Sequence, residues 1–328
     1  MQHAQIAPLR PLRTAGPATA GRLGLACALT GGVLCIDAVW LAAGGWSVSG
    51  RGLTVLALGV AACLAPLSIR RYRTDPRIAA TTPFCALLLI FQAAAATLSY
   101  LVVSTNAALV DAPLAAWDRA LGFDWLALHA WFQAHSVTQA LLRVAYASGL
   151  LQMVFVVVFL GLTGRRERLE EFMLLLIRAT LLSIAVSGLF PAAGAWKFHA
   201  VSDPIAASFA KSFDLASLSH FEALRDGRLR DIALDRMQGL ISIPSLHAAM
   251  AVLLVYAVRG TRVVLPAFIA LDLAMLASTP IDGGHYLVDV LAGVALAVAL
   301  IVLGRRQATR AQGAMRVAPI NHLEGLPQ

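Results

Sequence analysis

Gly284-His285-Tyr286-Leu287-Val288-Asp289-Val290-Leu291-Ala292-Gly293-Val294-Ala295-Leu296-Ala297-Val298-Ala299-Leu300-Ile301-Val302-Leu303 decides the class of the fold. After Asp289 no charged residue appears until Arg305. An α-helix needs about 20 mainly apolar residues to cross a bilayer, and this stretch supplies them with its polar groups gathered at the front. Outward from this stretch, seven further apolar runs of similar character lie near 23–44, 52–69, 81–104, 138–163, 169–190, 244–259 and 263–280. The expected fold is all-α, a polytopic membrane bundle of about eight transmembrane helices.

Composition agrees. The chain has 328 residues, 59% hydrophobic and 13% charged, with a mean hydropathy of +0.75. A soluble domain carries about 25% charged residues. The net charge of +8 is almost wholly arginine, since Lys197 and Lys211 are the only lysines. A basic chain can bind nucleic acid, but these arginines fall between apolar runs, where they set topology and meet anionic headgroups. No nucleic-acid partner is expected. Cys27, Cys35, Cys63 and Cys85 all lie in apolar runs and read as small core hydrophobes without disulfides. The first run is too long for a signal-peptide core and is expected to stay as a span.

Short loops fix the orientation. One side collects Arg10, Arg13, Arg22, Arg70, Arg71, Arg73, Arg77, Arg165, Arg166, Arg168, Arg259, Arg262, Arg305, Arg306, Arg310 and Arg316. The other has Arg51 and Arg119 beside Asp111, Asp118 and Asp124. The positive-inside rule places both termini in the cytoplasm. Three regions follow: a tail at 1–22, a transmembrane catalytic domain at 23–304 and a tail at 305–328. Within the domain, 107–136 mixes tryptophan with Asp and His and is expected to lie at the outer interface. Its function there is either an aromatic anchor or one wall of a lipid-entry groove. Segment 191–243 is expected as a long extracytoplasmic loop. Arginine in place of lysine suits a GC-rich bacterial genome, hence an inner (plasma) membrane. Asp37, Arg178 and Asp272 fall inside spans, where charges usually pair and face the bundle interior; Arg178 and Asp272 lie at similar depth and are expected to pair.

This orientation brings two histidines to the extracytoplasmic face. His247 opens one span in Ile243-Pro244-Ser245-Leu246-His247-Ala248-Ala249, and His285 opens another. Asp289 follows His285 by four residues, a spacing that shares one helix face. It can fix the tautomer of His285 and raise its basicity. One imidazole can then attack phosphorus while the other protonates the leaving oxygen. Ser245, at a helix start, can cap that helix or help cradle a phosphate. Gly283-Gly284 permits a tight turn or close backbone approach.

Pro244-Ser245-Leu246-His247 and His285-Tyr286-Leu287-Val288-Asp289 resemble the second and third motifs of the type 2 phosphatidic acid phosphatase superfamily. Ser242-Ile243-Pro244-Ser245-Leu246-His247-Ala248-Ala249 and Gly284-His285-Tyr286 are most similar to its inositol phosphorylceramide synthase-like branch. The resemblance covers about 241–293. It implies a lipid phosphotransferase or phosphatase that works through a phosphohistidine and needs no metal or cofactor. His285 would be the nucleophile, Asp289 its orienting carboxylate and His247 the general acid. The substrate would be a phospholipid or lipid phosphate, and the acceptor a lipid alcohol or water. Departures are plain: Ser278-Thr279 stands where the third motif has Ser-Arg, Leu246 replaces the glycine of the second motif, and the first motif has no clean match. Phe190-Pro191-Ala192-Ala193-Gly194-Ala195-Trp196-Lys197 occupies roughly its place. The phosphate-binding cation is thereby missing from its usual position, and Lys197 and Arg236 are the candidates, with Ser245 and Gly284 as further substrate contacts. Two other classes stay open: a transporter, and a metal-dependent membrane hydrolase using His247, His285 and Asp289 as ligands.

Overall fold

The computed structural model describes residues 17–202 and 215–317. The chain runs through α1 (Pro17–Gly44), β1 (Ser47–Val48), α2 (Gly50–Leu64), α3 (Arg70–Arg73), α4 (Pro76–Val103), α5 (Asp111–Ala120), α6 (Trp125–Ala134), α7 (Ser136–Ala147) and α8 (Gly149–Leu162). It continues through α9 (Arg166–Leu189), α10 (Ala195–Ser202), α11 (Leu215–Arg225), β2 (Asp231–Ile232), α12 (Leu246–Ala257), α13 (Val264–Asp282) and α14 (Leu287–Val317). The fold is an all-α membrane bundle. Among the described residues the strands amount to one two-residue parallel bridge, Ser47 to Asp231 and Val48 to Ile232, which ties the turn after α1 to the long segment before α12.

Six helices are long and apolar enough to cross a membrane, and a seventh crossing results if α7 and α8 count as one. The expected spans all fall on helices, with two differences. The run near 138–163 is broken into α7 and α8, bent by 46° around Ser148. Ser148 Oγ donates to the carbonyl of Ala145 at 2.7 Å, and a Cβ on the following Gly149 would meet Met250 Cε of α12 at 2.5 Å. A Ser-Gly pair at a helix kink has this physical basis: a side chain competing for backbone acceptors beside a close packing contact. The run near 244–259 forms only the 12-residue α12, roughly 18 Å long. Its residues are those of a span, but its front is a bend at Ile243-Pro244 that leads to the extended cap Ser245.

Local signals explain several helix starts. Asp75 caps α4 by accepting from Arg77 N and Ile78 N, with Pro76 in the first turn. Asp124 caps α6 through Ala127 N at 3.0 Å. At the centre stands α9, touching α1, α4, α8, α12 and α14. Its residues Phe172 through Ile177 are all buried, which a helix enclosed on every side requires. The main core gathers Phe84, Leu160, Phe172, Met173, Leu176, Leu254 and Met275 from five of these helices.

The buried charges do not pair as expected. Asp37 and Asp272 are buried with neither carboxylate oxygen hydrogen-bonded, and Arg178 makes no ion pair among the described residues. Equal depth along two helices does not fix the direction a side chain faces, which turns by about 100° per residue. Cys27 and Cys35 also depart from the reading as core hydrophobes, since both are exposed on α1. The tails at 1–22 and 305–328 are partly helical: α1 begins at Pro17 and α14 reaches Val317.

Candidate active site

Five separate stretches build the site. His285 lies in the turn before α14, not on the helix itself, and Asp289 lies in the first turn. Their side chains still meet, with His285 Nδ1 3.3 Å from Asp289 Oδ2. That oxygen also accepts from Ser242 Oγ at 2.7 Å and from the Tyr286 N–H at 3.1 Å. Asp289 is therefore held by three donors, with no exposure. Gly284 makes the turn possible: its φ is +63°, a conformation that costs other residues strain. The Gly284 carbonyl accepts from Ala195 N at 2.8 Å, so the turn is pinned to the start of α10.

The Nε2 face of His285 looks at α12. Ser245 Oγ lies 3.2 Å from it and also accepts, at 3.4 Å, from Ala248 N as the helix cap. With the proton on Nδ1 toward Asp289, Nε2 carries the lone pair and the serine hydroxyl donates to it. The two helices are in direct backbone contact here. Ser245 N donates to the Asp289 carbonyl at 2.9 Å, and a Cβ on Gly293 would fall 2.2 Å from the Ser245 carbonyl oxygen.

His247 enters two residues beyond Ser245, at the start of α12. Its ring stacks on Tyr146 of α7 at 4.2 Å, and Tyr146 OH lies 3.1 Å from His247 Nδ1. The same hydroxyl packs against Gly283: a Cβ built there would lie 2.8 Å from it and 2.7 Å from His285 Cδ2. Tyr146 thus holds His247 and packs against the turn that leads into His285. One turn earlier on α7, Arg143 Nε donates to Asp282 Oδ1 at 3.0 Å, immediately before the Gly283-Gly284-His285 turn. The Asp282 side chain is almost wholly buried, while that of Arg143 is half exposed at 52%.

Helix α5 supplies the supports. Asp118 accepts from the Leu287 and Val288 N–H groups at 2.8 and 3.0 Å, capping α14 from another element. Asp111, two turns earlier on the same face, accepts from Ala193 N and Gly194 N at 3.0 Å each and from Tyr286 OH at 2.9 Å. Both aspartates are buried. Burial raises the Asp118 carboxyl above the ordinary carboxylate range, against the pull of its two backbone donors. Burial, then the nearby Asp111 carboxylate, pushes the Tyr286 phenol up. Further out, Trp125 donates to the Pro280 carbonyl at 3.0 Å and Trp196 to the Ile281 carbonyl at 2.6 Å.

The structure thus brings together His285, Asp289, Ser245, His247 and Gly284. Lys197 and Arg236 are placed elsewhere: Lys197 Nζ is 2.5 Å from Glu222 Oε1, and Arg236 is exposed on a short 3-10 turn. Asp111, Asp118, Ser242, Tyr146 and Arg143 are additions. Among the described residues no group of three or more His, Cys, Asp or Glu side chains is arranged to hold a metal ion.

A lipid-level membrane bundle whose helix ends assemble a carboxylate-backed histidine beside a second histidine has the layout of a phosphoryl-handling enzyme. The chain belongs to the PAP2 superfamily, whose family model matches residues 112–303. It is accordingly a multi-pass membrane enzyme of the lipid phosphatase or phosphotransferase type. No curated protein and no solved structure matches it.

Proposed function

We propose that the protein cleaves a lipid phosphoester through a phosphohistidine on His285 and passes the phosphoryl-bearing group to a lipid alcohol, as in the inositol phosphorylceramide synthase-like branch, or to water. The observation that carries this is the line Ser245–His285–Asp289, with His247 two residues beyond Ser245 at the start of the same helix. In the first step His285 Nε2 bonds to phosphorus and the bond to the leaving oxygen breaks. His247 gives that oxygen its proton. Asp289 holds the His285 ring and offsets its positive charge as the phosphohistidine forms. In the second step neutral His247 takes the proton of the incoming hydroxyl, whose oxygen displaces Nε2. Ser245 turns its hydroxyl from Nε2 to a phosphate oxygen as substrate enters.

The cation of this reading is Arg143. Its helix also carries Tyr146, and its anchor Asp282 leads directly into the His285 turn. Guanidinium matches phosphate in charge and fork geometry. A cavity of about 610 Å³ lined by Asp118, Arg119, Trp125, Phe198 and His199 lies beside the start of α14. That falls within the range of small-molecule sites, about 300–1,000 Å³. Arginine asymmetry supports an extracytoplasmic site in an inner membrane.

The test is turnover and phosphate labelling on a panel of phospholipids, with and without alcohol acceptors. His285→Ala should abolish both. His247→Ala should slow turnover by about 10²–10⁴-fold yet still label from a donor whose leaving group needs no proton. Full activity in His285→Ala would overturn the reading. Loss of activity to a chelator, restored by zinc, would replace it with the metal-dependent one.

A further inference from the structure

The helices that bring the histidines together meet a second charged cluster at their other ends. In α14, Arg305 lies sixteen residues beyond Asp289, roughly 24 Å along the helix. Arg305 Nε donates to Tyr256 OH, near the end of α12, at 3.1 Å. The same hydroxyl donates to Glu171 Oε1 of α9 at 2.8 Å, and Glu171 Oε2 accepts from Arg259 Nη2 at 2.6 Å. Both guanidinium groups lie over the Tyr256 ring, Arg259 at 3.8 Å and Arg305 at 5.1 Å. Arg168 Nη1 donates to the Arg259 carbonyl. Arg165 sits over the Phe159 ring at 5.4 Å, and its Nη1 is buried without a hydrogen-bond partner.

Cations outnumber anions here. Glu170 is taken by Arg166 at 2.8 Å, and Glu167 is exposed with no ion pair among the described residues. Arg165, Arg168, Arg259 and Arg305 are left with Glu171 as their shared carboxylate. Three of the arginines, Arg165, Arg166 and Arg168, also stand at the start of α9, where the helix dipole is positive and disfavours cations. Gathering like charges there is costly unless an anion joins them. The rim of the cluster is apolar: Leu162, Val263 and Leu303 are exposed beside it, Val263 at 82%. Arginine donors with an apolar collar at the ends of spanning helices match one ligand chemistry, a phosphate carried on acyl chains.

We propose that this cluster binds the phosphate of an anionic phospholipid headgroup in the leaflet opposite the histidines. The bound lipid would tie together the ends of α9, α12 and α14, the helices whose other ends set the Ser245–His285 contact and the loop reaching Gly284. This assignment stands on its own geometry and does not depend on what the histidines do.

The test uses the full-length protein in nanodiscs of phosphatidylcholine containing a minor fraction of photoactivatable phosphatidylglycerol. Labelled peptides are then mapped, and lipid retained after detergent exchange is quantified. Wild type should label around 159–168, 256–263 and 302–306. Arg259→Gln/Arg305→Gln should retain phosphatidylglycerol roughly thirtyfold more weakly, two cationic contacts at about 1 kcal/mol each. Arg305→Gln alone, an exposed change that leaves the Glu171–Arg259 pair intact, should show part of the loss if the double variant fails to fold. Arg70→Gln/Arg71→Gln, on exposed α3, should bind as wild type does. Equal retention by the cluster variants, or an equal loss in the α3 variant, would overturn the site. Release of the lipid by millimolar inorganic phosphate alone would overturn the lipid assignment in favour of a free-phosphate site.

Discussion

Asp118 and Asp272 are both buried aspartates of the same membrane chain, at 3% and 2% exposure, yet they sit in opposite circumstances. Asp118, at the end of the bundle, accepts from two N–H groups of α14. Its neighbours Asp111 and Asp289 accept from three donors each. Asp272, in the middle of α13, has no hydrogen-bonded oxygen, and neither does Asp37 in α1. A buried charge without donors is a cost, and one surrounded by them is a fixed strut. Burial alone therefore does not set apart the carboxylates around His285, of which Asp289 still keeps Oδ1 without a partner. The number and origin of their donors do, and those donors are backbone and hydroxyl groups around His285.

The sharpest test is Asp289→Asn. All three donors meet at Oδ2, so the amide oxygen can still take that place, but the negative charge that offsets the imidazolium is lost and an NH2 group replaces the unpartnered Oδ1. Turnover should fall by about 10²–10⁴-fold with thermal unfolding little changed; wild-type rates would mean that Asp289 does not act on the ring. Next comes Asp118→Ala, which leaves two N-terminal N–H groups of α14 without acceptors. Stability should drop by roughly 2–4 kcal/mol, read as a lower unfolding midpoint, with activity lost in parallel.

Asp118→Asn adds a pH signature. Because burial raises the Asp118 carboxyl, its ionised form is the less favoured one in the fold. Wild type, measured against the pH-insensitive Asn variant, should lose stability as pH rises from about 3.8 through the elevated value. A flat difference would show that the two N–H bonds fully offset burial.

A smaller effect is expected for Tyr146→Phe. Stacking on His247 stays, the hydroxyl at Nδ1 goes, and the rate should fall about tenfold with a shifted pH–rate profile. An unchanged profile would leave Tyr146 as packing alone. The smallest belongs to the other side of the comparison. Asp272→Asn and Asp37→Asn should change stability by within about 1 kcal/mol, or raise it, with turnover intact. If Asp272→Asn matched Asp118→Ala in cost, the distinction between strut and stray charge would collapse.

Local spacing made part of this site legible. His285 and Asp289 were readable from their four-residue interval, Ser245 from its place before an apolar run, and the bundle from span lengths. Asp111 and Tyr286 are 175 residues apart, Asp118 and Val288 170, Tyr146 and His247 101. No periodicity along the chain encodes such contacts. The shortness of α12 is hidden because hydropathy does not register that Pro244 and Ser245 precede the helix or that it ends at Ala257. The pairing of Arg178 with Asp272 failed because depth was readable and azimuth was not. Lys197 reads as a candidate from its place in the long outer segment; that Glu222 stands beside it is a tertiary fact.

Helix α5 turns its carboxylates inward and leaves Trp117 and Arg119 outward, with Leu121 exposed just past its end, Trp117 and Leu121 at 56% and 57%. This is the reverse of a helix facing water. Its outer side needs the boundary zone of a bilayer, where an indole is at home, and its inner side grips the start of α14. On the proposed reading, lipid against this outer side backs the helix that holds the start of α14. Solubilisation is then expected to act like a substitution at Asp118, slackening the hold on the His285 turn while the core around Phe172 stays folded. Loss of turnover in micelles, with helicity retained and recovery on return to a bilayer, is how such an enzyme registers the absence of its membrane.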